Sequence, residues 1–208
     1  MNDTAGRICW ADKSDNVAIA DFIEKKLGGS GVRHMALPGG STPGPILAEL
    51  AKRPLDWKNL RFTLTDERRV PVDHPASNIR LLREHLGQCG AQILPLSPAL
   101  VPSHFDLCWL GMGTDGHIAS LFPRMQATEL ATPGVIETVP DPLPPEAPYK
   151  RLSLNLPALL ASDAIILVIR GEAKKRVIEQ AIAGENDLPI ARLLASARCK
   201  VTIFWSEE

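Results

Sequence analysis

The chain has 208 residues, of which 45% are hydrophobic, the composition of a globular protein with a sizeable core rather than a disordered one. Its 23 basic and 24 acidic residues nearly cancel, so no field of one sign recommends nucleic acid or a membrane surface as a partner. The four cysteines, Cys9, Cys89, Cys108 and Cys199, include no C-x-x-C pair, which suits reduced thiols in a cytosol. The opening MNDTAGRICWADK has no apolar stretch of the secretory kind. The longest apolar run, ALLASDAIILVI, is broken by Ser162 and Asp163 and is too short to span a bilayer. The expectation is a cytoplasmic protein forming a single domain over residues 1–208.

In chain order, Asp12 or Ser14 is placed to cap a helix through VAIADFIEKKL, which two glycines end. RHMAL is a strand candidate that stops at Pro38-Gly39-Gly40, and TPGPILAELAKR is a helix with proline near its start. RFTLT is the next strand, followed at once by Asp66. SNIRLLREHLG is an amphipathic helix with Ser77 as cap and Gly87 as stop. FDLCWLGMG is a continuous buried strand running into a glycine loop. Residues 126–149 hold six prolines and little periodicity, the pattern of a long surface connection. RLSLN, PALLAS and DAIILVIRG then suggest strand, short helix and strand. GEAKKRVIEQAIAG is a helix and CKVTIFW a last strand. Strands alternating with helices imply an α/β fold with a doubly wound, mostly parallel sheet and helices on both faces, a Rossmann-like arrangement.

Three candidate strands end in polar or glycine-rich loops: PGGSTP, TDERRVP and GMGTDGH. In open parallel sheets, ligands bind outside the carboxyl ends of strands, so these loops should converge on a site. Gly111, Gly113 and Gly116 spell G-x-G-x-x-G, but a dinucleotide fold also needs a full helix after the third glycine and an acidic strand end. Pro123 cuts such a helix short, and Glu137 falls in the proline-rich connection. Catalysis explains His117 better: imidazole is the natural general base at neutral pH, Asp115 can orient it, and Gly113 lets substrate approach the backbone. His34, His74, His85 and His104 have no such setting and are expected to be structural. Gly39, Gly40, Ser41 and Thr42 offer backbone N–H groups and hydroxyls before a helix N-terminus, a site for an anion. In TDERRVP an arginine could clamp phosphate or stabilise charge developing on oxygen, and Lys174 could add a point charge. No H-E-x-x-H or C-x-x-C spacing suggests a metal.

Taken together in this order, PGGSTP, TDERRVPVDHPASN, LGMGTDGHIASLFP and RGEAKK resemble the 6-phosphogluconolactonases. The wider family includes glucosamine-6-phosphate deaminases, whose histidine segment continues toward Asn-Glu-Pro and supplies a catalytic Glu. Here the same positions read Ser120, Leu121, Phe122 and Pro123, which favours the lactonase. The resemblance implies hydrolysis of 6-phospho-D-glucono-1,5-lactone to 6-phosphogluconate, in the oxidative pentose phosphate pathway, with neither metal nor nucleotide cofactor. It makes His117 the base that activates water, with Asp115 and Asp66 as the other acid–base candidates. It assigns the 6-phosphate to the loop of Gly39, Gly40, Ser41 and Thr42 together with Arg68 and Lys174, and the sugar pocket to Asp66 and Asn78. Arg68, rather than Arg69, fits the family's D-E-R-x-V-P pattern. The segment from 87 to 104 is short for that family, so a helix bordering the site is expected to be missing. The rival readings are a sugar-phosphate deaminase, a dinucleotide-dependent oxidoreductase and a non-catalytic sugar-phosphate binding module.

Overall fold

The computed structural model describes residues 6–99, 104–125, 132–141, 143 and 148–208. The elements, in chain order, are β1 (Ile8–Trp10), α1 (Asn16–Leu27), β2 (Arg33–Leu37), α2 (Pro43–Leu50), a single 3-10 turn at Trp57–Asn59, β3 (Leu60–Leu64), β4 (Asp66–Arg68) and α3 (Asn78–Leu86). There follow β5 (Gln92–Leu94), β6 (Leu107–Leu110), β7 (Val135–Thr138), β8 (Arg151–Leu154), α4 (Leu156–Leu160), β9 (Ala164–Arg170), α5 (Glu172–Ala183), α6 (Pro189–Ser196) and β10 (Lys200–Ser206). Seven strands form one parallel sheet in the order β1-β10-β9-β6-β2-β3-β5.

Both faces of this sheet are covered, so its inner strands are apolar on both sides rather than alternating. In β9, Ile165, Leu167 and Ile169 pack into one core with Ala158 and Leu159 of α4, Ile178 of α5 and Ile190 of α6. Ala164, Ile166 and Val168 point the other way, into a second core with Ile23 of α1, Leu47 of α2 and Leu82 of α3. The expected doubly wound sheet is therefore present, with three helices against each face.

The structure departs from the sequence reading in several places. The cap of α1 is Asp15, not Asp12 or Ser14, because only a residue three before Ala18 can accept its N–H, here at 2.9 Å. Within 126–149, where a long surface connection is expected, VIET forms β7 by pairing antiparallel with β8. Four residues carry too little period to announce themselves, and pairing on one side only lets the strand lie amid prolines. β8 pairs in turn with β4, giving a second, three-stranded antiparallel sheet, so the DER of TDERRVP is strand rather than loop. The short segment 87 to 104 contains β5, an edge strand against β3. Among the described residues no helix is long and apolar enough to cross a membrane.

His34, on β2, is partly buried and bonded within the fold. Its Nε2 lies 2.6 Å from Thr63 Oγ1, and its ring meets Phe105 edge-on at 4.7 Å. Burial, with the Arg61 charge nearby, lowers its pKa to about 4. The unfolded chain thus takes up this proton first, so stability is fully present above roughly pH 6.5 and is lost as pH falls from there towards 4. Replacing His34 by Gln should remove about 1–2 kcal/mol of the stability difference between pH 7 and pH 4, a figure discounted for the solvent-facing part of the ring. Thermal unfolding of both proteins across that range checks this. Equal losses in parent and variant would refute it.

Candidate active site

The chain runs from β2 through α2 to β3 on one side, while β6 lies on the other side of β2, so strand order reverses between β2 and β6. A cleft of about 530 Å³ opens at their carboxyl ends, where such folds bind ligands. The three loops singled out in the sequence all reach it, and each is held by a different local device.

In the first loop, a Cβ on Gly39 would sit 1.9 Å from Asn78 Oδ1, so only glycine lets the start of α3 close over it. Gly40 adopts φ +92°, a left-handed conformation that turns the chain into α2. Among the described residues no protein acceptor takes the backbone N–H of Gly40, Ser41 or Thr42. Pro43 opens α2, and all these residues line the cleft. Thr42 makes no side-chain cap bond and lines the cleft. Unspent donors beside a helix N-terminus form an anion cradle.

In the second loop, Glu67 is structural. Its Oε1 accepts from the N–H of Arg68 (2.7 Å) and Asn78 (2.8 Å), and its Oε2 from the N–H of Ile79 (2.8 Å) and the Ser77 hydroxyl (3.3 Å). One carboxylate therefore welds β4 to the first turn of α3 and fixes Arg68 and Asn78 relative to each other. Asn78 Nδ2 adds a bond to Asp66 O at 2.9 Å. Arg68 lines the cleft and donates Nη1 to Ala76 O at 3.0 Å. Arg69 turns outward to an ion pair with Glu137. Asp66 is buried and also lines the cleft.

In the third loop, His117 Nδ1 lies 2.6 Å from Asp115 Oδ1. A carboxylate only accepts, so Nδ1 carries the hydrogen and Nε2 is left with its lone pair. His117 faces the cleft, whereas Asp115 stands outside it and orients the ring. The Phe122 ring packs against the imidazole at 5.0 Å. Gly113 is required by this pair: a Cβ there would lie 2.3 Å from the imidazole and 2.5 Å from Asp115 Oδ1. No helix follows Gly116. Residues Ile118 and Leu121 instead form isolated bridges, so the helix N-terminus that a pyrophosphate would need is absent, and the dinucleotide reading fails. Of the three glycines, Gly113 is the one that makes room for the histidine.

Lys174, in the first turn of α5, reaches the cleft, and among the described residues no carboxylate pairs with it. Burial pushes its pKa below the ordinary lysine range. The residue that sequence reasoning missed is Arg151. It opens β8, is 6% exposed, lines the cleft, and stands directly across from Arg68 in the strand register. Like charges so placed repel, and burial with the Arg68 charge lowers the Arg151 pKa, partly offset by Asp66. Its guanidinium lies 5.6 Å from the Phe122 ring, on which His117 also rests. Such an arrangement favours an anionic ligand. The only signal in the sequence was a basic residue beginning RLSLN. His34, His74, His85 and His104 all lie off the cleft, and no group of three or more His, Cys, Asp or Glu among the described residues could hold a metal ion.

The family model for glucosamine-6-phosphate isomerases/6-phosphogluconolactonase matches residues 15–100 and 91–205. The 6-phosphogluconolactonase of Caulobacter vibrioides is 37% identical over 196 residues, spanning 83% of this chain and 82% of that protein. That of Neisseria meningitidis (serogroup A) is 34% identical over 216 residues, 91% of this chain and 92% of its own. The crystal structure of a 6-phosphogluconolactonase from Shewanella baltica superposes with a TM-score of 0.81 at 31% identity, covering 96% of this chain and 97% of that one. By sequence and by fold alike, this chain belongs to the glucosamine-6-phosphate isomerase/6-phosphogluconolactonase family.

Proposed function

We propose that the chain hydrolyses 6-phospho-D-glucono-1,5-lactone to 6-phosphogluconate. The observation that carries this reading is a single cleft with an oriented imidazole, His117, and an anion cradle built from residues 40–42, Arg68, Arg151 and Lys174. The phosphate dianion is held by the cradle, and the Asp66 and Asn78 side takes the sugar hydroxyls. The lactone carbonyl is then presented to His117. Nε2 accepts a proton from water as the water oxygen bonds to C1, and negative charge moves to the carbonyl oxygen. When the tetrahedral intermediate collapses, the C1–O5 bond breaks and the imidazolium returns its proton to O5. Asp115 stabilises the imidazolium throughout, its carboxylate already bonded to Nδ1. No step calls for a metal or a redox cofactor.

The test is acid release from freshly prepared lactone, with spontaneous hydrolysis subtracted, run beside ammonia release from glucosamine 6-phosphate. Saturable acid release that survives exhaustive chelation is expected. Ammonia release without lactone turnover would overturn the reading, as would activity lost on chelation and restored by one particular metal.

A further inference from the structure

The side chain of Ser120 touches neither solvent nor the cleft, yet it joins the histidine loop to the acidic strand. It is 0% exposed, and its hydroxyl donates to Asp66 Oδ2 at 2.7 Å. Its backbone N–H donates to Ser153 Oγ at 3.1 Å, and the Ser153 hydroxyl donates to Leu154 O at 3.0 Å. Ser153 is the strand partner of Asp66 across β4 and β8. Two independent bonds thus pin one residue, three positions after His117, to one point of the second sheet.

The backbone records the same constraint. Ala119, which lines the cleft between His117 and Ser120, has φ +49° and is the only non-glycine with positive φ among the described residues. A side-chain-bearing residue holds that conformation only where its surroundings over-determine it, and such residues gather at functional sites. Here the turn at Ala119 is what sends Ser120 inward while His117 stays on the cleft wall.

We infer that Ser120 is a positioning residue, which orients the Asp66 carboxylate by occupying Oδ2 and leaving Oδ1 for the substrate. Through the turn at Ala119 it also holds the His117 loop in register with Asp66. The kinetic form of this inference rests on the lactonase reading, but the contact itself does not. The experiment is a double-mutant cycle with Ser120→Ala, Asp66→Ala and the pair, read both as kcat/KM for the lactone and as calorimetric affinity for 6-phosphogluconate. Alone, Ser120→Ala should lower kcat/KM about tenfold, the size of one hydrogen bond to a charged acceptor. On the Asp66→Ala background it should cost less than twofold. The affinity readout keeps the cycle decisive even if the lactone is not turned over. Should Ser120→Ala not fold, Ser120→Cys, of similar volume and with a weaker donor, takes its place in the cycle. Equal losses in both backgrounds would mean that Ser120 supports the fold without acting through Asp66, and would overturn the inference.

Discussion

Replacing His117 by Asn should lower kcat for the lactone by about 10²–10⁴-fold, the range that a positioned general base contributes. The expectation comes from geometry. Asp115 holds Nδ1 at 2.6 Å, which commits the ring to the tautomer whose Nε2 can take a proton from water. Asparagine keeps a polar group near Asp115 but has no basic nitrogen. Its ring-free side chain also loses the contact with Phe122, at 5.0 Å in the parent. The imidazole is partly exposed, its side chain at 30% of full accessibility, so little buried area is lost and the fold should survive. Affinity for 6-phosphogluconate should persist as well, because the anion cradle lies on other loops. A folded His117→Asn protein that hydrolyses the lactone at near-parent rate would make the histidine a loop anchor and shift attention to Asp66.

Replacing Lys174 by Met should raise KM about 10- to 100-fold and change kcat only a few-fold, because the phosphate is held alike in ground and transition states. Methionine keeps the aliphatic stem and removes only the ammonium. That ammonium is half-buried with its pKa pushed down by desolvation, and no carboxylate among the described residues offsets the cost. On the proposed function an anionic ligand would supply the missing partner, and the charge would serve binding more than stability. The melting temperature should therefore stay level or rise slightly. Unphosphorylated gluconolactone provides the control: its turnover should be insensitive to the change. An unchanged KM for the phosphorylated lactone would remove Lys174 from the cradle.

The geometry also explains why the glycine loop is easily misread. Gly111, Gly113 and Gly116 match a nucleotide fingerprint by spacing alone, and spacing says nothing of what each glycine accommodates. Gly113 clears space for the imidazole and its carboxylate, and a Cβ on Gly116 would come within 2.7 Å of Leu188 on the way into α6. A phosphate-binding glycine loop needs a helix behind it, and here the chain turns back through bridges at Ile118 instead.

The amino-acid sequence by itself determined the parallel sheet and the loops at its carboxyl ends. A strand buried on both faces is a run of apolar residues, and AIILVIR, LCWL and RHMAL are such runs, bounded by the glycines and polar residues that close them. His117, Asp115 and the 39–42 loop stood out as candidates for the same reason, since each sits next to an element whose end is marked locally, whereas Lys174 stood out only through the resemblance that RGEAKK carries. Only the tertiary structure decided the rest. The strands β1, β4 and β5 have three residues each, too few to carry a period, and exist because a neighbour supplies their hydrogen bonds. Glu67 became a cap for α3 only when β4 brought it against residues eleven and twelve positions later. Arg151 came to line the cleft by standing across from Arg68, 83 positions earlier in the chain, and Ser120, behind the cleft wall, met Asp66 over a separation of 54. Contacts at such separations are set by strand pairing and burial, which no local window of sequence contains.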